Sequence, residues 1–262
     1  MDILIHTLTG MCGGTVVAAL HRSRPAQQAR IVVIGGLGGM FPDIDTFSLW
    51  PGFDQTFGAW LGQSGREIYS SHLWYGHHGF FHSLVGALLL TGLLGGFFSL
   101  IYSRILRRAP GFGSAFRYLV PYQISFLGGY LLHLVEDMPT PGGSWGGIRL
   151  LFPSQTYIGG WGYTWWWNNY DIFLIVSGTL LLSLLALMVC EWRSRRLRFI
   201  PVLLLLFGSL LAMQQLHFRQ TDYNECAYPA CETASWEEQE RNIGKAWTRR
   251  LRQMDNLLPI YF

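Results

Sequence analysis

Charge is scarce in this chain. Asp, Glu, Lys and Arg make up 13% of the 262 residues, where a soluble domain carries roughly 25%. The shortage falls in runs, because Ile172 to Cys190 and Phe199 to Leu216 hold none of the four. Such runs argue against an ordinary soluble domain and suit bilayer-crossing helices, which need about 20 apolar residues. Lysine is nearly missing too, since all but one of the 19 basic residues are Arg. With a net charge of +3, these residues mark membrane topology rather than a nucleic-acid surface. There is no internal repeat, no low-complexity tract and no glycine-rich phosphate loop.

What is present is a series of apolar segments bounded by charge. They run from Ile3 to Leu20, Ile31 to Trp50, Phe80 to Tyr102, Tyr118 to Val135, Ile172 to Cys190 and Phe199 to Phe218. The expected fold is all-α: a polytopic membrane protein of about six transmembrane helices over residues 1–218, then a tail over 219–262. Asp2 stands where a secretory signal would carry a basic residue, so the first segment is expected to be retained. Arg22, Arg24 and Arg30 lie between segments one and two, Arg104, Arg107, Arg108 and Arg117 between three and four, and Arg193, Arg195, Arg196 and Arg198 between five and six. The two opposite loops hold only Arg66 and Arg149. The positive-inside rule therefore puts both termini, and the loops Pro51 to Gly79 and Pro139 to Asp171, outside the cytoplasm.

Trp161, Trp165, Trp166, Trp167 and Tyr170 cluster before segment five, where an interfacial aromatic belt belongs. In the tail, Cys226 and Cys231 are expected to form a disulfide in an oxidising compartment, whereas Cys12 and Cys190 sit inside apolar segments as small core residues. Ser235 and Glu238 form a capping box, and Trp236, Ile243, Trp247, Leu251, Met254 and Leu258 recur at helical spacing. An outward-facing amphipathic helix is expected there.

Ionisable residues at membrane depth are costly and point to function. Here they share one end of the bundle: His6 near the outer end of segment one, Asp43 and Asp45 closing segment two, His77, His78 and His82 opening segment three, and His133 and Asp137 closing segment four. His133 and Asp137 are four apart, as are His78 and His82, so each pair shares a helix face. Imidazole and carboxylate are the donors of zinc and related divalent ions. A site for one to three such ions is expected, with Asp43, Asp45 and Asp137 also taking catalytic roles. Glu136 is expected to face elsewhere on its helix, His72 to contact substrate, and His21 and His217 to be ordinary interfacial residues.

The early His in T-L-T-G, the P-D-I-D turn, the H-x-G-x-x-H-S element and the G-Y-x-x-H-x-x-x-D-x-x-T-P-x-G element, in that order, resemble the YdjM-like inner-membrane proteins. These are classed as metal-dependent hydrolases, and one member is LexA-regulated. The resemblance covers roughly residues 1 to 155. It implies a bacterial inner-membrane location, metal-binding roles for His6, Asp43, Asp45, His77, His82, His133 and Asp137, and supporting or substrate-binding roles for Ser83 and Thr140. His78 stands where that family has Arg and Phe81 where it has Thr, and Arg149 is placed to take over the anion-holding role. The order of ligands is also similar to that of zinc-dependent phospholipase C and its related nucleases, an analogy at the level of fold.

A site at the outer interface meets lipid head groups, so the expected activity is metal-dependent hydrolysis of a phosphate ester of a membrane lipid or lipid-linked substrate. Two other classes compete. One is metal-free acyl hydrolysis or transfer on a His133–Asp137 pair, which leaves the surplus of His and Asp unexplained. The other is metal or proton transport, which the confinement of the ligands to one face argues against.

Overall fold

The computed structural model describes residues 3–21, 24–139, 146–161, 170–193, 198–217 and, in the tail, 233, 236–237, 240–241 and 243–255. The described chain is helical, with a single isolated bridge between Ile148 and Ile158. The principal helices are α1 (Ile3–Leu20), α2 (Pro25–Met40), α3 (Gly65–Ser70), α4 (Leu84–Leu100), α5 (Phe112–Asp137), α6 (Tyr170–Arg193), α7 (Ile200–His217) and α8 (Lys245–Asp255).

Four stretches are long and apolar enough to cross a membrane: Ile3–Leu20, Leu84–Ile105, Asp171–Val189 and Ile200–His217. The other two expected spans take a different form. The α-helix of α2 ends at Met40 and tightens into a 3₁₀ helix over Phe41–Leu49. Pro42 supplies no N–H to an α ladder there. At 16 residues, α2 is about 24 Å long, short of a hydrocarbon core of roughly 30 Å. α5 has the length, at 26 residues, but carries Pro121, Gln123 and three tyrosines.

These two less apolar helices are the interior ones. α5 packs against α2, α1 and α4, while the α6–α7 pair joins the bundle through α1. Glycine makes the centre possible. A Cβ on Gly14 would lie 2.8 Å from the Val32 Cα, and one on Gly35 would lie 2.9 Å from the Gly14 Cα. One on Gly38 would collide with the Phe126 carbonyl, and one on Gly129 with the Gly35 carbonyl. A glycine thus stands at each of these closest contacts of α2 with α1 and α5, the close approach by which helices gain packing where lipid offers no hydrophobic drive.

Apolar clusters close the rest. Ile5, Ile172, Val176, Ala212 and Leu216 join α1 to α6 and α7, with Leu251 of α8 packed against them. Ala18, Ala19, Ile31, Val32 and Leu187 join α1 to α2 and α6 at the opposite end of α1. Trp236 is buried, and Trp247 is exposed with the Arg250 guanidinium over its ring. Ser235, Glu238 and Leu258 of the expected tail helix, and Cys226 and Cys231, lie outside the described residues. So do Trp165, Trp166 and Trp167. Cys12 is a buried free thiol.

Candidate metal centre

The packing brings together the start of α1, the turn after α2, the turn before α4 and the end of α5. His82 Nε2 lies 3.1 Å from His133 Nε2. Asp137 Oδ2 is 2.9 Å from the His133 nitrogen and 3.3 Å from the His82 nitrogen. Asp43 Oδ1 is 3.6 Å from the first and 3.4 Å from the second. Tetrahedral zinc with ligands at the usual 2.0–2.1 Å would set neighbouring donors roughly 3.3 Å apart. The donor set therefore has both the chemistry and the spacing for a divalent ion. Two further groups adjoin it, His77 with His78 and His82, and Asp43 with Asp45 and His77. They share Asp43, His77 and His82, so the three groups form one continuous cluster.

The imidazoles are held in the tautomer a metal needs. His133 Nδ1 donates to the Gly39 carbonyl at 2.6 Å, and His78 Nδ1 to the Gly147 carbonyl at 2.7 Å. His6 Nδ1 donates to Glu136 at 2.8 Å, and His77 Nδ1 lies 3.1 Å from both Asp45 oxygens. A neutral imidazole with Nδ1–H so bound carries its lone pair on Nε2. His6 Nε2 lies 3.1 Å from Asp137 Oδ1, and the His6 and His133 rings stack at 3.6 Å. Among the described residues, neither His6 Nε2 nor His82 Nδ1 has a hydrogen-bond partner, although both are buried.

Electrostatics agree with that chemistry. Burial, reinforced by His77 and His82, holds the His78 imidazole well below its usual range. That imidazole therefore stays neutral, as a ligand must be.

The supporting turns explain how the side chains arrive. The Ser83 hydroxyl donates to the Phe80 carbonyl and accepts from the Gly86 N–H, capping α4 and fixing the turn that carries His82. The Tyr130 hydroxyl ties the Phe81 carbonyl to α5. His78 sits in the left-handed region at φ 61, a conformation uncommon outside glycine. A Ser64–Glu67 capping box opens α3, whose Tyr69 stacks on the His77 ring at 4.4 Å.

Glu136 corrects the sequence reading. It is buried and holds His6, instead of facing away. The signal was available, since Glu136 is three residues from His133 and Asp137 four, and both spacings fall on one helix side. The Gly39 and Gly147 carbonyls were missed with no signal to find them.

The expected substrate groups lie to one side. Arg149 is almost fully buried; its backbone N–H donates to the His78 carbonyl, while its guanidinium donates to the Ser154 carbonyl and the Gln155 side chain. Phe152 and Tyr157 flank that guanidinium. His72 is exposed, edge-on to Tyr157 at 5.7 Å. Thr140 lies outside the described residues. His21 follows the far end of α1 from His6, and His217 ends α7.

No curated protein and no solved structure matches the chain. A family model does: it is described as YdjM inner membrane protein and matches residues 1–218. The match extends past the fourth motif, where the motif-based resemblance stopped, through both α6 and α7. With His6, Asp43, His82, His133 and Asp137 gathered inside those residues, the chain belongs to the YdjM inner membrane protein family.

Proposed function

We propose that the protein is a membrane-embedded, metal-dependent hydrolase that cleaves a phosphate ester of a lipid or lipid-linked substrate at the outer face of the inner membrane, with both termini on that side. The observation that carries this reading is the convergence of His82, His133, Asp43 and Asp137 at tetrahedral donor spacing, surrounded by two further ligand groups. Zinc is the ion whose preferences a mixed His and Asp set meets best. Bound there, a divalent ion would supply Lewis acidity to a phosphoryl oxygen and bring the pKa of a water towards neutrality.

The chain's own residues supply the rest. The Asp45 carboxylate is buried against His77, beside the cluster. It is placed to accept the proton of an attacking water while His77 steadies it. Arg149 has a buried guanidinium whose hydrogen-bond partners among the described residues, Ser154 and Gln155, are uncharged, which leaves its charge for a phosphate oxygen. His78, joined to the Arg149 backbone, links that cation to the ligand cluster, and His72 extends the polar rim.

The test is metal analysis of the purified protein together with phosphate or head-group release from phospholipid vesicles, with and without chelator. Bound metal, chelator-sensitive release, and loss of both in Asp137→Ala are expected. Chelator-resistant turnover would move the case to acyl chemistry on His133 and Asp137. Metal flux across sealed vesicles with no hydrolysis would move it to transport.

A further inference from the structure

α2 and α4 both pack on α5 but scarcely on each other. Between them runs a groove of about 930 Å³, floored by Leu119, Tyr122, Gln123 and Phe126 of α5. Its walls are Ile34, Leu37 and Met40 on one side and Leu94, Phe98 and Ile101 on the other. One end is formed by the 3₁₀ turn, with Asp43, Ile44 and Phe47, and the other reaches Leu106. From Thr91 to Leu106 the α4 wall alone runs roughly 20 Å at 1.5 Å per residue, more than one leaflet's half of a core of roughly 30 Å.

Three features say what fills it. The chain is an inner-membrane protein by family, so an apolar groove along its helices is bathed in hydrocarbon. Among the lining residues Asp43 is the only charged one, and Asp43 also belongs to the ligand cluster. The groove is therefore apolar along its length and ends at the metal centre. Leu37, Ile44 and Phe98 are 43%, 50% and 53% exposed, so it opens sideways to the acyl chains that the bilayer supplies.

We infer that this groove binds one fatty acyl chain of the substrate, entering laterally between α2 and α4 and running from Asp43 towards the opposite leaflet. The assignment rests on the hydrolase reading for the word substrate, but the chain site is read without turnover. Seated this way, the chain fixes the depth of the head group and brings the scissile ester beside Asp43. Short-chain and water-soluble esters lose that anchoring.

The experiment uses the full chain in phosphatidylethanolamine–phosphatidylglycerol vesicles, with a trace of phosphatidylglycerol carrying a diazirine in one palmitoyl chain. A diazirine at the chain end should label Ile101, Leu106, Leu119 or Tyr122, and one near the carboxyl should label Ile44 or Phe47. Leu94→Trp and, across the groove, Leu37→Trp should each cut this labelling at least tenfold. Leu93→Trp, 68% exposed beside the groove wall, should leave it unchanged, and Asp137→Ala should keep it while losing hydrolysis. Labelling spread evenly over lipid-facing residues such as Leu88 and Leu210, and untouched by either groove-filling variant, would overturn the proposal. Displacement by a polyprenyl phosphate but not by excess phosphatidylglycerol would overturn the fatty acyl assignment. Groove labelling in a protein that hydrolyses no lipid would uphold the chain site and count against the hydrolase reading alone.

Discussion

Gly39 offers the sharpest test of how the centre is built. Its carbonyl accepts the His133 Nδ1–H at 2.6 Å, and its Cα lies against the first turns of α1. A Cβ placed there would collide with the His6 carbonyl oxygen and sit 3.0 Å from the His6 carbonyl carbon and 3.1 Å from the Gly10 Cα. All three neighbours are backbone, so no side chain can rotate away. Ordinary contact begins at 3.4 Å; α1 and α2 must part, and His6 and His133 move with them. Overpacking of this kind costs typically 1–3 kcal/mol. Gly39→Ala should therefore weaken metal binding by about tenfold or more, since 1.4 kcal/mol of lost site geometry is a factor of ten. Alanine is as acceptable to lipid as glycine, so insertion should be unaffected. Gly96→Ala is the control: among the described residues nothing beyond its own stretch of helix lies within 4 Å of its Cβ position, and metal affinity should not change. Competitive titration with a fluorescent chelator reads both. Wild-type affinity in Gly39→Ala would refute the claim that backbone contact between α1 and α2 sets the ligand geometry.

Further expectations concern the outer parts of the site and its orientation. Glu136→Gln keeps shape and a hydrogen bond but removes the charge that His6 Nδ1–H meets; partners of this kind are worth 10–100-fold in metal affinity, measurable in the same titration. A reporter active only outside the cytoplasm should work after Phe262 or at Gly65 and fail at Gly111, following the Arg distribution of the loops; activity at Gly111 would reverse the topology. Cys226 and Cys231 should resist thiol labelling in unreduced, denatured protein, with a loop this short stabilising the fold by about 2 kcal/mol; full labelling of both would remove the disulfide.

Much of the buried His and Asp cluster was legible in the sequence because membrane depth makes polar residues conspicuous. Asp43, His82, His133 and Asp137 stand at the ends of apolar runs, and alternation of the runs places those ends on one side. Hydropathy was a poorer guide to helix limits. It put the start of the second segment at Ile31 and of the fourth at Tyr118, whereas the helices begin at Pro25 and Phe112. Polar first turns such as Pro25 to Arg30 are helical without being apolar, and hydropathy measures only the latter. Nor does hydropathy register Pro42, where α2 tightens into nine residues of 3₁₀ helix. Gly39 and Gly147 contribute carbonyls, which every residue has, and only the packed structure says which ones meet an imidazole.

The glycines of α2 carry a consequence for assembly. Gly35, Gly36, Gly38 and Gly39 crowd its last turns, and each lowers intrinsic helix stability by about 1 kcal/mol relative to alanine. That half of α2 has little of its own to hold it helical, and it becomes firm only when α1 covers one side and α5 the other. α1 is made first and is adjacent in sequence, whereas α5 emerges some 70 residues later. The order of synthesis thus leaves Asp43 on a loosely held turn until α5 arrives, carrying His133 and Asp137 with it. A nascent chain that stops short of α5 has three of the four helix ends and no completed centre, so closure of the bundle and completion of the ligand set are one event.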